Sequence, residues 1–78
     1  MIRATIREGS RPDRGFWFAQ PLDPHDTPAR YSRPRDVFLH HTVVRGLELE
    51  PGDLVDLEYV VEPDRRLRAT YVERVEAQ

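Results

Sequence analysis

Gly15-Phe16-Trp17-Phe18 is the stretch that decides the fold of this 78-residue chain. In an extended strand, successive side chains point to opposite faces. Phe16 and Phe18 therefore share one face. Trp17 and Ala19 share the other, so both faces of the strand are apolar. Because only one face of a small antiparallel sheet can be core, this strand either lies in a larger barrel or shows aromatic rings to solvent.

A second stretch, Asp36-Val37-Phe38-Leu39-His40-His41, favours rings that face solvent. The alternation places aliphatic side chains, with His41 at the end, on the inner face. Phe38 and His40 lie on the outer face. Flat rings side by side on a sheet form a platform on which unpaired bases stack. The two stretches together predict a strand surface that binds single-stranded nucleic acid.

Two motifs in this order resemble those of the cold-shock domain family. Residues 14–18, Arg-Gly-Phe-Trp-Phe, are similar to its first ribonucleoprotein motif, Lys-Gly-Phe-Gly-Phe. Residues 37–41, Val-Phe-Leu-His-His, are similar to its second, Val-Phe-Val-His-Phe. The likeness continues through residues 49–55 and 69–72, so it covers nearly the whole chain. The resemblance implies an all-β, five-stranded antiparallel OB-fold barrel that binds single-stranded RNA or DNA without a cofactor.

The chain also departs from the family pattern. Residues 8–10, Glu-Gly-Ser, occupy the region where the family carries a Trp-Phe pair, which removes two stacking rings. Trp17 stands where the family has glycine, and Ala19 where it has a large aliphatic residue. If both point inward, this exchange conserves core volume. We expect Trp17 in the core; the alternative is that Trp17 is the exposed base-stacker and the two phenylalanines are buried.

Period-two alternation predicts five strands, at about residues 2–7, 15–20, 36–41, 54–62 and 67–75. A short helical turn is expected over residues 42–46. The fourth strand is predicted to bury residues 55, 57, 59 and 61 and to expose an acidic row, Asp56, Glu58 and Glu62, on the back of the barrel. The fifth is predicted to bury Leu67, Ala69, Val72 and Val75. The spacing of three between Ala69 and Val72 breaks the period and predicts a bulge. A four-stranded sandwich fragment is the alternative fold.

Between the second and third strands, residues 21–35 contain four prolines, which predict an extended irregular loop. In this loop, Tyr31 is interleaved with Arg30, Arg33 and Arg35. Arginine beside an aromatic ring is a combination that single-stranded nucleic acid favours. The loop is either a solvated spacer or an added binding surface.

Composition limits the remaining classes. We expect a single domain over residues 1–78. The chain lacks cysteine, carries no long apolar run and starts unlike a signal peptide, so we expect a cytoplasmic protein without a membrane partner. The net charge is −2, but residues 1–36 hold seven arginines and five acidic residues. The basic half is the half that contains the first aromatic strand.

The predicted nucleic-acid-binding residues are Arg7, Arg14, Phe16, Phe18, Tyr31, Phe38, His40 and His41. The family resemblance implies that His40 stacks on a base or contacts phosphate. His41 either stacks or is a polar strand end. Adjacent strand residues point apart, so these histidines are not expected to chelate a metal together. No nucleophile with a base and no paired carboxylates stand out, so we expect no enzyme activity.

Two functional classes remain open. The first is a single-strand binder that acts as an RNA chaperone or a transcription or translation modulator. The second is a protein-interaction module that docks on a larger nucleic-acid-processing machine through the loop at 21–35 or the acidic row. The missing Trp-Phe pair and the negative net charge favour the second class. The retained rings favour the first, because exposed apolar rings reduce solubility.

Overall fold

The computed structural model describes residues 1–23 and 36–75. Five strands form in the described chain: β1 (Ile2–Ile6), β2 (Phe16–Pro21), β3 (Val37–His40), β4 (Leu54–Val61) and β5 (Leu67–Arg74). Two short helices join them, a 3-10 helix at Pro12–Arg14 and α1 at His41–Val44. The predicted all-β class is confirmed.

The strands close into a barrel in the order β1-β2-β3-β5-β4. All neighbouring strands are antiparallel except β3 and β5, which pair in parallel at Val37–Leu67 and Phe38–Arg68. The prediction of a wholly antiparallel barrel is therefore wrong. Strand directions cannot alternate all the way round a closed ring with an odd number of members, so one parallel pair is unavoidable.

The barrel interior is filled by alternate strand residues. Trp17 is only 8 % exposed, and its indole Nε1 donates a hydrogen bond to the Leu49 carbonyl at 3.2 Å. The expectation that Trp17 belongs to the core is confirmed. The other buried side chains are Ala4, Ile6, Ala19, Val37, Leu39, Val44, Leu49, Val55, Leu57, Leu67, Ala69 and Val72.

Three predicted core positions are wrong in whole or in part: Val61, Val75 and Tyr59, which is half-buried although it packs against the core. Val61 is 39 % exposed. It is exposed because β1 pairs with β4 only as far as Leu57, so the rest of the β4–β5 ribbon extends beyond β1. Val75 follows the end of β5 and is half-buried.

The predicted bulge between Ala69 and Val72 is confirmed. Glu58 lies opposite Tyr71, and the next residue of β4, Tyr59, lies opposite Ala69. Thr70 therefore has no partner on β4, and this extra residue lets Ala69 and Val72 both point inward.

The predicted loop at 21–35 begins too early. Pro21 is the last residue of β2, is buried and lies opposite Ala4. A proline is tolerated there because the bond to β1 is made by the next residue, Leu22, which donates to the Arg3 carbonyl, and β2 pairs with β3 only as far as Ala19. Residues 24–35, including Tyr31 and the loop arginines, lie outside the described residues.

Candidate nucleic-acid interface

Five aromatic side chains form a continuous patch on the outer face of β2, β3 and the start of α1. We call Phe16, Phe18, Phe38, His40 and His41 the ring cluster. The register of β2 with β3 places Phe18 opposite Phe38 and Phe16 opposite His40. Opposed residues of a strand pair point to the same face. Since Trp17 and Leu39 fill the inner face, these rings are held on the outside.

The three phenylalanines contact one another. Ring centroids lie 5.6 Å apart for Phe16–Phe18, 5.8 Å for Phe18–Phe38 and 5.9 Å for Phe16–Phe38. The pairs that involve Phe18 are edge-to-face, at 75° and 63°. This is a favoured arrangement of aromatic quadrupoles. All three side chains are half-buried, so each keeps part of its ring accessible.

The histidines extend the cluster, and here a prediction is wrong. His40 and His41 were expected in one strand with their rings pointing apart. β3 ends at His40 and α1 begins at His41, so the chain turns between them. Their ring centroids lie only 4.2 Å apart with the planes tilted by 38°. The His40 ring is 6.3 Å from that of Phe38.

Hydrogen bonds fix this turn. The His41 backbone N–H donates to the Gly15 carbonyl at 2.9 Å, which ties the start of α1 to the start of β2. His40 Nδ1 accepts from the Thr42 backbone N–H at 3.4 Å and lies 2.9 Å from Thr42 Oγ1. An Nδ1 that accepts leaves the hydrogen of the neutral ring on Nε2.

Gly15 allows the two segments to approach. Its φ of 81° lies in the left-handed region, and a Cβ placed on it would lie 3.1 Å from His41 Cδ2. Any larger residue would be strained in its backbone and would press on the His41 ring. Glycine at this position therefore controls where the His41 ring lies.

Arginines flank the ring cluster in two cross-strand rows. In the first row, Arg11 forms a bridge with Phe16, which lies opposite His40. In the second, the N–H of Arg7 donates to the Phe18 carbonyl, and the parallel pairing of β3 with β5 places Arg68 beside Phe38. Neither Arg11 nor Arg68 was predicted. A ring of five strands requires a parallel pair but does not specify that it joins β3 to β5, so the sequence carried no signal for Arg68. The turn around Arg11 carried none either.

The two rows differ in charge. Arg7 Nη1 hydrogen-bonds both carboxylate oxygens of Asp36 at 3.1 Å. Arg68 pairs with Glu62. Both arginines of the second row are therefore neutralised by a neighbouring acid. Among residues 1–23 and 36–75, neither Arg11 nor the predicted Arg14 has a side-chain partner, and both are exposed.

The acidic row on β4 is less negative than predicted. Asp56 accepts from Arg3 at 3.0 Å, and Glu62 pairs with Arg68. The hydrogen bond from Arg3 holds the pKa of Asp56 below its usual value, and the opposing effect of desolvation is smaller. Glu58 alone of the row has no arginine partner in the described chain.

Other kinds of site are not evident in the described residues. No three His, Cys, Asp or Glu side chains among residues 1–23 and 36–75 are close enough together to hold a metal ion. Within the same ranges, none of the helices is long and apolar enough to span a membrane. A shallow cavity of about 360 Å³ lies away from the ring cluster and is lined by Met1, Ile2, Leu57, Glu58, Tyr59 and Thr70.

No family model matches the chain, and no curated protein matches its sequence.

Proposed function

We propose that this protein is a non-catalytic binder of single-stranded RNA or DNA, built on an OB-fold barrel of the cold-shock type. The observation that carries the proposal is the ring cluster on the outer face of β2 and β3. Its rings meet bases by stacking, which needs the bases to be unpaired. In this role the protein keeps strands open as an RNA chaperone or a transcription or translation modulator in the cytoplasm.

The two faces of β2 have different roles, and this difference supports the proposal. Trp17 supplies the large apolar side chain that the core needs. The outward phenylalanines are not required to fill the interior, although they shield one another by edge-to-face contact. An apolar patch that is half-buried and still offers ring surface to solvent supports a binding role.

The charges around the ring cluster indicate that stacking contributes more to the binding free energy than phosphate contacts do. The net charge is −2, and two of the flanking arginines are paired with acids. Among the described residues, no acidic side chain pairs with Arg11 or Arg14, which lie beside the start of β2. Binding should therefore be modest and should depend only weakly on salt compared with a strongly basic protein.

A second candidate function is docking on a protein of a larger nucleic-acid-processing machine. The observation that favours it is the part of the β4–β5 ribbon that extends beyond β1. Val60, Val61 and Tyr71 are 39–41 % exposed there. Val60 lies opposite Arg68, so a partner at this surface would border the second arginine row without covering the histidine end of the ring cluster.

Fluorescence anisotropy separates the two functions. A labelled pyrimidine-rich single strand is titrated with protein at low and moderate salt, with the matching duplex as the comparison. We expect single-strand binding that is much stronger than duplex binding, and a loss of about 1–3 kcal/mol on Phe38→Ala. Val60→Ala is the matched control, because it removes an exposed apolar side chain outside the ring cluster.

Two outcomes would contradict the proposal. One is the absence of single-strand binding at low salt, where electrostatic attraction is least screened. The other is equal weakening by Phe38→Ala and Val60→Ala. Either result would favour the docking function.

A further inference from the structure

The contact between the two histidine rings sets this part of the ring cluster apart. Their centroids are 4.2 Å apart, closer than any two phenylalanine rings of the cluster. Both side chains are exposed. Histidine is the side chain whose charge ordinarily changes between about pH 5 and 8. Two imidazolium charges at this distance would repel each other, and an anion beside the rings would offset that repulsion.

The surrounding charges make this end of the cluster the attractive place for an anion. The 3-10 helix contributes Asp13 and Arg14, immediately before Gly15, whose carbonyl accepts from the His41 backbone N–H. Arg14 has no side-chain partner in the described chain, and Arg11 flanks Phe16. At the end of the ring cluster formed by Phe18 and Phe38, Arg7 and Arg68 each form an ion pair with an acid.

The remaining charged groups on neighbouring elements do not reverse this balance. Arg45, at the end of α1, is exposed and has no acidic partner in the described chain. On β5, which packs against α1, the Tyr71 hydroxyl donates to Glu73 at 3.0 Å. That hydrogen bond, followed by the charge of Glu73, raises the pKa of Tyr71, so its phenol stays neutral at physiological pH.

We propose that His40 and His41 form a proton-linked phosphate site that receives a backbone phosphate of the strand stacked on the phenylalanines. The inference rests on the proposed function and adds to it a dependence on pH. In the neutral state, His40 Nδ1 caps Thr42 and Nε2–H is free to donate. Protonation of His40 turns Nδ1 from an acceptor into a donor, so its bond from the Thr42 N–H ends and Thr42 Oγ1, 2.9 Å away, accepts instead. A phosphate beside the two rings offsets the repulsion of their charges. The two histidines therefore take up protons when the strand binds.

The test is a pH series of single-strand affinity at constant ionic strength. Each proton taken up on binding can strengthen affinity by up to about tenfold per pH unit across the histidine range. We expect roughly five- to tenfold tighter binding at pH 6 than at pH 8. His41→Gln keeps a polar side chain but removes one charge and should reduce the change to about twofold or less.

A strand with an uncharged methylphosphonate backbone is the matched control. It keeps the bases that stack but offers no anionic oxygen to the histidines. Its affinity should be nearly the same at pH 6 and pH 8. If the uncharged strand shows the full pH dependence, the protons act on stacking or folding, and the phosphate site is wrong.

Failure of this inference is distinguishable from failure of the proposed function. Single-strand binding that is independent of pH would overturn the phosphate site and leave the stacking platform in place. If no strand binds at any pH, the inference is judged by NMR of the histidine ring protons during titration with inorganic phosphate. Chemical shifts of both rings that saturate with phosphate at pH 6, and not at pH 8, would support a free-phosphate site; unchanged shifts would overturn it.

Discussion

Trp17 shows how one side chain decides which face of β2 is core. Its indole is buried and donates to the Leu49 carbonyl, while its neighbours Phe16 and Phe18 face outward. Alternation in the sequence predicted that Trp17 and the phenylalanines lie on opposite faces, but both faces were apolar. The inward direction followed only from comparing the volumes of residues 17 and 19 with the family pattern.

Truncation of Trp17 and of Phe38 should therefore affect different properties. Trp17→Ala leaves a large cavity and an unpaired Leu49 carbonyl, so we expect a loss of about 3–5 kcal/mol in the free energy of unfolding. Phe38→Ala removes a half-buried ring from the surface and should cost about 1 kcal/mol. Urea unfolding followed by circular dichroism gives both values. Similar losses for the two variants would mean that Phe38 is a structural residue.

Gly15 offers a sharper test of how the histidines are positioned. Gly15→Ala should destabilise the fold by about 1–2 kcal/mol through its left-handed backbone and should displace the His41 ring. Gly9→Ala is the matched control, because Gly9 has a φ of 94° but nothing within 4 Å of an added Cβ. Both variants should lose stability, and only Gly15→Ala should shift the NMR signals of His41. Equal shifts in both variants would contradict the close packing.

Among the elements, the strands were the most predictable from sequence, because each is one run of period-two alternation. The bulge at Thr70 was also predictable, since two core residues spaced by three demand an extra residue between them. The residues at which the elements end were not predictable from the sequence. Val61 continues the pattern of β4, but its exposure depends on how far β1 reaches along β4. His41 continues the pattern of β3, but its backbone N–H donates to the carbonyl of Gly15, which lies immediately before β2.

The pairing of β1 with β4 through Arg3 and Asp56 predicts a dependence of stability on pH. The folded-state pKa of Asp56 is lowered, chiefly by its hydrogen bond with Arg3. This contribution is therefore present above the ordinary aspartate pKa and is lost as the pH falls through the lower, folded-state value. Asp56→Asn should make the urea midpoint fall less between pH 5 and pH 2.5.

Glu58→Gln is the control for that experiment. It removes an exposed acid from the same strand, and Glu58 has no arginine partner in the described chain. Its acid sensitivity should stay close to that of the unmodified protein. A larger change with Glu58→Gln than with Asp56→Asn would contradict the assignment to the Arg3 pair, whose exposure keeps its effect small in any case.

For the whole molecule, net charge is a poor guide to the interface, because the arginines differ in their partners. Arg11→Gln combined with Arg14→Gln should reduce the slope of log affinity against log salt by about 1 to 1.5. Arg65→Gln, at the exposed turn between β4 and β5, should leave the slope unchanged. If the slope changes only when Arg30, Arg33 and Arg35 are neutralised, the phosphate contacts belong to residues 21–35.

The closed arrangement was predictable in the number of its strands, but the parallel direction of the β3–β5 pairing was overlooked. Local patterns specify which residues alternate and where the chain turns. They do not specify which strands become neighbours when a sheet closes on itself. The position of Arg68 beside Phe38 follows from that closure, so it was absent from the predicted interface.

The parallel pairing of β3 with β5 has a kinetic consequence. It joins the strands at only two residue pairs, whereas β4 and β5 pair at seven positions. The barrel should therefore open first at this place, and amide hydrogens near Leu67 should exchange with solvent earlier than those within β4. A nucleic acid that contacts both Phe38 and Arg68 would bridge β3 and β5 and oppose their separation. Bound strand should then slow exchange at Leu67 and Arg68, which links the lifetime of the closed barrel to occupancy of its surface.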